Sequence, residues 1–445
     1  MKGYDLNLTY RYGLTRRQFI RLTSLSAAAL AAGCATNPVT GRTQLMMVSE
    51  QEEIQIDRQF SPLQFSSDLG PTQDAALNSY VSGIGLALAA RGHRPHMPFS
   101  FRVVNATYIN AYAFPGGSIA CTRGILVTLD NEAELAALLG HEIGHVNARH
   151  TAEQLSKGQL TNIVVGGLSI IADVAAPGMG QVASALGGFG AGAFLASYSR
   201  DNERQADALG TEYMVRSGYG PEGMVGLMNM LNTLNKSRPS SIELMFATHP
   251  MSDERYQNAV QATRTTFADA KGLPLHRERY MDATARLRAI KGAIEEMQKG
   301  DKAMGSKNFT QAEAHYQSAL KQAPNDYAAL VSMAKCQLIQ KKHAEGTRYA
   351  RQAQSVFPQE AQGHHLSGFA GLNLKQFDTA LNDFQTSQRL LPGNPNTTFF
   401  IGYSFEGLGR RSEAAREYQR FLQQVRQGQY AQHAAQRLRE WGYAR

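Results

Sequence analysis

HEIGHVNARH, residues 141–150, places three histidines and a glutamate within ten positions. Wound as a helix at about 100° per residue, the stretch sets His141 and His145 about 40° apart and one turn removed, so two imidazoles can face one ion. Glu142 stands about 100° from His141, close enough to touch a water on that ion without displacing it. His150 is about half a turn around from His141, and on a straight helix it faces away. A bend at a glycine could bring a third histidine round, as in HExxHxxGxxH, but Ala148 holds the glycine position and Thr151 the third-histidine position.

A catalytic zinc takes three protein ligands and keeps one position open. The missing ligand is expected from a second helix. Glu203-Arg204-Gln205-Ala206-Asp207 offers two carboxylates four residues apart on one face. Glu203 is expected on the metal, with Asp207 accepting the outer ring N–H of a zinc-bound histidine and fixing its tautomer. An isolated pair of this kind is ordinarily a solvated helical face; downstream of HExxH it becomes the strongest candidate for the vacancy.

Around this constellation the pattern is mostly helical. Ser49-x-x-Glu52 and Asn131-x-x-Glu134 are capping boxes, the second opening the helix that carries HEIGH. Asp74 to Ala90 reads as a helix with Leu77, Val81, Ile84 and Leu88 on one stripe, and Leu227 to Leu234 and Ser252 to Ala268 as two more. Phe99 to Asn105 alternates as a strand does, and Ser118 to Cys121 follows the turn signal Pro115-Gly116-Gly117 as another.

The chain has 445 residues, enough for roughly two to four domains, and a formal net charge of +8. About half of that excess lies in the first 33 residues, where Lys2, Arg11, Arg16, Arg17 and Arg21 stand against Asp5. The rest forms no basic run interleaved with aromatics, so a nucleic-acid partner is not indicated. Arg16-Arg17 precede an eleven-residue apolar run, Leu22 to Ala32, too short for the roughly twenty residues of a bilayer span. It is similar to a twin-arginine export signal over residues 1–34. Ala31-Ala32-Gly33-Cys34 resembles a lipobox, which makes Cys34 the expected lipidation site, with cleavage after Ala35 as the alternative. Cys121 and Cys336 read as buried thiols. Between Lys157 and Ser197 a glycine-rich apolar stretch is broken by Asp173 and Pro177; a helical hairpin or flap beside the site is expected there in preference to a membrane span.

Pro324, Pro358 and Pro392 recur at a period of 34 residues. In the same phase small residues recur at Gly300, Ala334, Gly368 and Gly402, and again at Ala312, Gly346, Ala380 and Ala414. Tyr316, Ala350, Phe384 and Tyr418 form a third row, large in three places of four. This helix-turn-helix period is the tetratricopeptide signature. Four repeats are expected over 293–428, with a capping helix over 429–445 and a helical linker over 271–292.

HEIGH, SRDNERQAD (Ser199 to Asp207), NAYAFPGG (Asn110 to Gly117) and HPMSDER (His249 to Arg255) together resemble the HtpX, Oma and CAAX-protease superfamily of zinc endopeptidases, family M48, over roughly residues 37–270. The resemblance implies a fold that is mainly α with a small β-sheet: a gluzincin-type zinc metallopeptidase domain, placed at 35–270, followed by an all-α tetratricopeptide-repeat solenoid. It implies one Zn²⁺ per chain on His141, His145 and Glu203, with Glu142 as general base. It places His249 near the zinc, as an oxyanion stabiliser or as a plug of the open position. Arg255 is expected to meet a carboxylate or the substrate backbone. NAYAFPGG is expected to lead into a cleft strand whose exposed edge pairs with extended substrate, shaped by Asn110, Gly116 and Gly117, an ordinary hairpin turn being the alternative.

With its export signal, such a chain is expected in the periplasm, held at the outer membrane where Cys34 is acylated. Its partners would be unfolded or misassembled envelope proteins and outer-membrane assembly machinery docked on the repeats. The function so implied is proteolytic quality control. The competing expectation is a chaperone or interaction protein whose protease is latent, restrained by His249.

Overall fold

The computed structural model describes residues 34–156, 197–237 and 239–444. The expected export signal, up to Gly33, and the expected glycine-rich flap, up to Ala196, lie outside the described residues. Among those described, no helix is long and apolar enough to cross a membrane.

The described chain opens at Cys34 in a small hairpin, β1 (Cys34–Thr36) against β2 (Thr43–Leu45). Helix α1 (Glu50–Ser67) follows, and its capping box is complete: Ser49 and Glu52 exchange side-chain and backbone bonds. Helix α2 (Ala75–Ala89) starts at the Asp74 cap and buries the stripe Leu77, Val81, Ile84 and Leu88. Strands β3 (Ser100–Val104), β4 (Ala111–Ala113) and β5 (Ser118–Thr122) form a three-stranded sheet in the order β3-β5-β4, with β3 parallel and β4 antiparallel to β5.

Helix α3 (Glu132–Asn147) is buried along its whole length, which its short apolar and small residues allow. Its expected capping box is only half made: Asn131 caps the Glu134 N–H, while the Glu134 carboxylate turns to the Asp130 N–H and the Asn131 amide. Helix α4 (His150–Ser156) follows after a break at Arg149, which sits at φ 61°. Beyond come α5 (Arg200–Arg216), α6 (Glu222–Ser237) and α7 (Asp253–Arg264). Helices α3 and α5 cross at Gly140 and Gly210: a Cβ on Gly140 would lie 2.8 Å from the Gly210 carbonyl oxygen. Only glycine permits that approach, and it is what brings the acidic face of α5 onto the histidines of α3. The sheet's inner face, α2, α3, α5 and the Met224–Leu231 stripe of α6 share one core. The segment expected as a linker belongs to that core too, because Tyr280 and Leu287 are buried in it and the Tyr280 hydroxyl donates to the Leu126 carbonyl.

The remainder is stacked helix pairs: α8 (Lys291–Gly305) with α9 (Phe309–Gln322), α10 (Tyr327–Ile339) with α11 (His343–Val356), α12 (Ala361–Asn373) with α13 (Phe377–Leu390) and α14 (Pro395–Gly407) with α15 (Arg411–Gln424). A last helix, α16 (Gln429–Glu440), covers the end. This is the tetratricopeptide architecture, and its periodic rows have a steric meaning. The small row meets the large one across three of the four pairs: a Cβ on Gly300 would fall 2.5 Å from the Tyr316 ring, on Gly368 3.0 Å from Phe384 and on Gly402 2.9 Å from Tyr418. The turn inside each pair also repeats, with Lys307, Lys341, Lys375 and Gly409 all at positive φ.

The first helices of the pairs make the inner layer, and α10, α12 and α14 are buried nearly all round. The sheet-bearing part rests on the early members of that layer. Phe60, Leu63, Phe65, Tyr112 and Phe114 share a cluster with Ala361 and Leu391. Around it, Arg123 pairs with Asp326, Ser66 donates to Glu360, and Thr107 donates to Asp301 at 3.0 Å.

Candidate metal centre

His141 and His145 lie one turn apart on α3, and the α3–α5 crossing sets Glu203 against them. His249, just after the short helix Glu243–Thr248, closes the group. One ligand atom from each of the four lies within 4.8 Å of the others, and all four residues are buried. The His145 Nε2 to His141 Nε2 distance is 3.0 Å, His145 Nε2 to Glu203 Oε1 is 3.3 Å, and His249 Nδ1 to Glu203 Oε1 is 3.1 Å.

Ring nitrogens this close cannot all be donors, and the outer bonds decide which are not. His141 Nδ1 is 2.9 Å from Asp207 Oδ1, so it carries the proton and leaves the Nε2 lone pair pointing inward. On the other ring, Gln205 Oε1 accepts from His150 Nε2 at 2.9 Å, which makes His150 Nδ1 the acceptor for His145 Nδ1–H at 2.9 Å. His145 Nε2 is therefore also an inward lone pair. Two imidazole lone pairs and a carboxylate aimed at one point are the donor set of a divalent transition ion, and zinc accepts this set. Glu142 adds to the fit: it is 1% exposed, neither of its oxygens has a hydrogen-bond partner among the described residues, and Oε1 is 3.8 Å from His249 Nε2.

The charges are sorted by burial and by Arg255. Burial pushes the Glu142 carboxyl above the ordinary range. Burial opposes charge on Glu203 as well, but the neighbouring His249, Arg255 and His141 outweigh it and hold that carboxyl well below the usual value. Asp207 is held low in the same way, with Arg255 the main offset to its burial. Arg255 reaches Asp207 through Nε and Nη2 at 2.7 Å each, and its Nη1 lies 2.6 Å from Glu203 Oε2 and donates to the Pro250 carbonyl at 3.1 Å.

Several expected placements differ. Arg255 is 5% exposed and directs its guanidinium at two carboxylates and a carbonyl, so of its two expected partners the structure shows the carboxylate. Gly116 and Gly117 do not line the site. They form a turn packed on α1 and β3, where a Cβ on Gly116 would meet Asp57 at 2.5 Å and Gly117 takes φ 105° beside Phe99. Strand β4 is an edge strand, but Asn110, Ala111 and Tyr112 are buried rather than exposed, because Tyr112 packs into the cluster under α1. Asn110 is fully buried, and neither atom of its carboxamide has a partner among the described residues.

His150 does not face away. The left-handed turn at Arg149 ends α3 and swings His150 back onto His145, where it is a hydrogen-bond partner of a ligand rather than a ligand. Two further residues escaped the sequence reading. Tyr198 stacks on the His145 ring at 3.7 Å between centroids, and Gln205 fixes His150. Gln205 lies between Glu203 and Asp207 on α5 and could have been noticed there; nothing local marks Tyr198. Cys121 and Cys336 are both free and buried.

Residues 75–263 match the family described as peptidase family M48. The chain is 35% identical over 194 residues to a β-barrel assembly-enhancing protease of Yersinia pestis, covering 42% of this chain and 39% of that one. It is 32% identical over 241 residues to the protein of that name from Escherichia coli strain K12, covering 52% of this chain and 48% of the relative. The matched region thus spans less than half the length of either relative. A solved tetratricopeptide protein of Thermus thermophilus aligns with 34% of this chain and 84% of its own at 17% identity and a TM-score of 0.30.

Proposed function

We propose that this chain, whose residues 75–263 belong to peptidase family M48, is a zinc-dependent endopeptidase of the bacterial cell envelope acting in protein quality control. The observation that carries the reading is the convergence of His141, His145 and Glu203 on one point, beside a Glu142 carboxylate that accepts no hydrogen bond among the described residues. Zinc bound there would act as a Lewis acid and make water nucleophilic near neutral pH. Glu142 is suited to take the proton from the attacking water and return it to the leaving amine, since burial and the lack of other partners leave its oxygens available. Asp207 and the His150–Gln205 pair keep the two imidazoles in the tautomer that binds metal, and Arg255 keeps Glu203 and Asp207 ionised. His249 is in place to steady charge developing on the substrate carbonyl oxygen.

The names of the relatives support clients among outer-membrane β-barrel proteins, with the repeats as docking surface for clients or assembly machinery. Periplasmic location with a lipid anchor at Cys34 completes the reading. The test is Glu142→Gln: cleavage of an unfolded protein is lost while metal analysis still finds one zinc per chain. Retained cleavage would sink the mechanism.

A second reading is supported by one distance, the 3.1 Å between His249 Nδ1 and Glu203 Oε1, which leaves His249 within reach of the same point. In that reading the resting protease is latent and the chain works mainly as a chaperone. His249→Ala would then raise basal cleavage; lowered cleavage would return His249 to the catalytic role.

A further inference from the structure

The stacked pairs have two kinds of turn, and these carry opposite charge. The turns between pairs, at 323–326, 357–360 and 391–394, hold Asp326 and Glu360 and no cation. That edge is already used by the sheet-bearing part: Arg123 pairs with Asp326, and Ser66 donates to Glu360. The turns inside the pairs, at 305–308, 339–343, 373–376 and 407–411, hold Lys307, Lys341, Lys342, Lys375, Arg410 and Arg411 and no carboxylate. Lys342 and Arg410 are paired with Glu313 and Glu413 at 2.8 Å each. The other four, Lys307, Lys341, Lys375 and Arg411, are exposed and make no ion pair among the described residues.

The local backbone gives no reason for this excess. Each such turn joins the end of one helix to the start of the next, so a cation gains from the first helix dipole about what it loses to the second. Lys307, Lys341 and Lys375 moreover stand at φ 58°, 60° and 58°, in the left-handed region that glycine enters without strain and does enter at Gly409. Of the three large apolar side chains left exposed in the repeats, two stand on the same edge. Leu374, 38% exposed, precedes Lys375. Tyr443, 44% exposed, sets its hydroxyl 3.2 Å from that of Ser412, beside Arg411. Helices in contact lie about 8–10 Å apart, so the four cations make a row of roughly 30 Å with these two side chains among them.

We infer that this edge docks the repeats on an anionic phospholipid surface. The free cations suit lipid phosphates, while an aliphatic and a phenolic side chain suit the boundary between headgroups and acyl chains. An acidic protein segment would use the cations and leave Leu374 and Tyr443 uncovered. The inference goes beyond the proposed anchor at Cys34, because an acyl chain inserts whatever the charge of the headgroups. Docking needs no change in how the two parts of the chain meet, since the sheet-bearing part holds the other edge.

The test uses the full chain carrying Cys34→Ser, so that no acyl chain contributes. Co-sedimentation is read with vesicles of phosphatidylcholine alone and of phosphatidylcholine mixed with phosphatidylglycerol. Binding is expected to the mixed vesicles only, and to be lost at about 1 M salt, where charges are screened beyond about 3 Å. Lys307→Gln, Lys341→Gln, Lys375→Gln and Arg411→Gln together are expected to weaken it about a hundredfold or more. Arg58→Gln, Lys236→Gln, Arg264→Gln and Lys271→Gln remove the same charge from exposed positions elsewhere on the chain and are expected to change it less than about threefold. Leu374→Ser with Tyr443→Ser is expected to weaken it several-fold. Equal binding to the two kinds of vesicle would overturn the inference, as would equal losses in the two fourfold variants. A chain that ignores both vesicles but holds polyglutamate through these four cations would give the row to an acidic protein and overturn it too. Vesicle binding needs neither zinc nor cleavage, so its failure leaves the protease reading untouched.

Discussion

Asp207 at the metal centre and Asp68 at the seam between catalytic part and repeats are both withdrawn from solvent, and burial pushes both carboxyls upward. They end in opposite places. Arg255 grips Asp207 with two nitrogens at 2.7 Å, and its charge brings that carboxyl below the ordinary range. Asp68 is given hydroxyl and amide donors from Tyr112, Tyr108 and Gln64, with only the more distant field of Lys335 as positive charge, and it stays raised at about 6. Neutral hydrogen bonds satisfy a buried carboxylate without paying back its lost hydration; a bonded guanidinium does both.

The sharpest way to break this contrast is to remove the guanidinium. Arg255→Met takes the guanidinium from the buried Glu203 and from Asp207, whose side chain is 15% exposed, and a stranded buried charge costs about 3–5 kcal/mol. Denaturant unfolding of the metal-free protein should show a loss of that size. A loss under about 1 kcal/mol would mean that the carboxylates are not held as charges by Arg255.

The next largest effect is at the seam, and it depends on pH. A carboxyl raised from 3.8 to about 6 on folding binds its proton more tightly in the native state, so its contribution is full below 3.8 and is lost as pH rises through 6. Wild type should therefore lose up to about 3 kcal/mol between pH 4 and 7 from this group alone. Asp68→Asn should flatten that decline, although its amide nitrogen cannot accept where one carboxylate oxygen did. Asp207, held low, gives the opposite slope, with stability lost only as pH falls below 3.8. Parallel stability curves for wild type and Asp68→Asn across this range would remove Asp68 from the argument.

The two regions also differ in how far the sequence discloses them. At the metal centre, i and i+4 spacing pairs His141 with His145 and Glu203 with Asp207 whatever the rest of the chain does, and the HExxH motif is what turns the second pair from a solvated face into a ligand candidate. The repeats are legible for a similar reason: a period of 34 residues puts Gly300 on Tyr316, Gly368 on Phe384 and Gly402 on Tyr418 in three of the four pairs. What stays hidden depends on burial and on single backbone angles. Arg255, Gly116 and Gly117 are polar or small residues beside a motif, and nothing local says whether they turn toward substrate or into the core. His150 is placed by the left-handed Arg149, an unfavourable conformation for arginine that no pattern announces. The seam has no motif at all: Asp68 joins Asp301 and Glu360 of the repeats beside Lys335 only when the helix Glu50–Ser67 settles on the inner helices.

Within the metal centre, the charged arm through Asp207 can be set against the neutral arm through His150. Asp207→Asn keeps the shape but weakens the acceptor for His141 and the partner of Arg255, and losses of about 10–100-fold in zinc affinity are usual for such outer partners. Competition against a chromophoric chelator measures it. Affinity unchanged within about twofold would show that the tautomer of His141 is set by something other than Asp207.

The neutral arm should give the smallest effect, and it tests the tautomer argument directly. Gln205 touches no ligand; it accepts the His150 Nε2–H and so leaves His150 Nδ1 free to accept from His145. Gln205→Leu removes that instruction without altering any charge. His150 can then move its proton to Nδ1, where it opposes the Nδ1–H of His145, and part of the population turns His145 to the tautomer with Nε2 protonated and unable to bind metal. The expected cost is several-fold in zinc affinity, below that of Asp207→Asn, with stability of the metal-free protein nearly unchanged. Glutamate at the same position should restore affinity, because a carboxylate accepts the same hydrogen bond. If Gln205→Glu binds zinc no better than Gln205→Leu, His150 is packing against His145 rather than directing its proton.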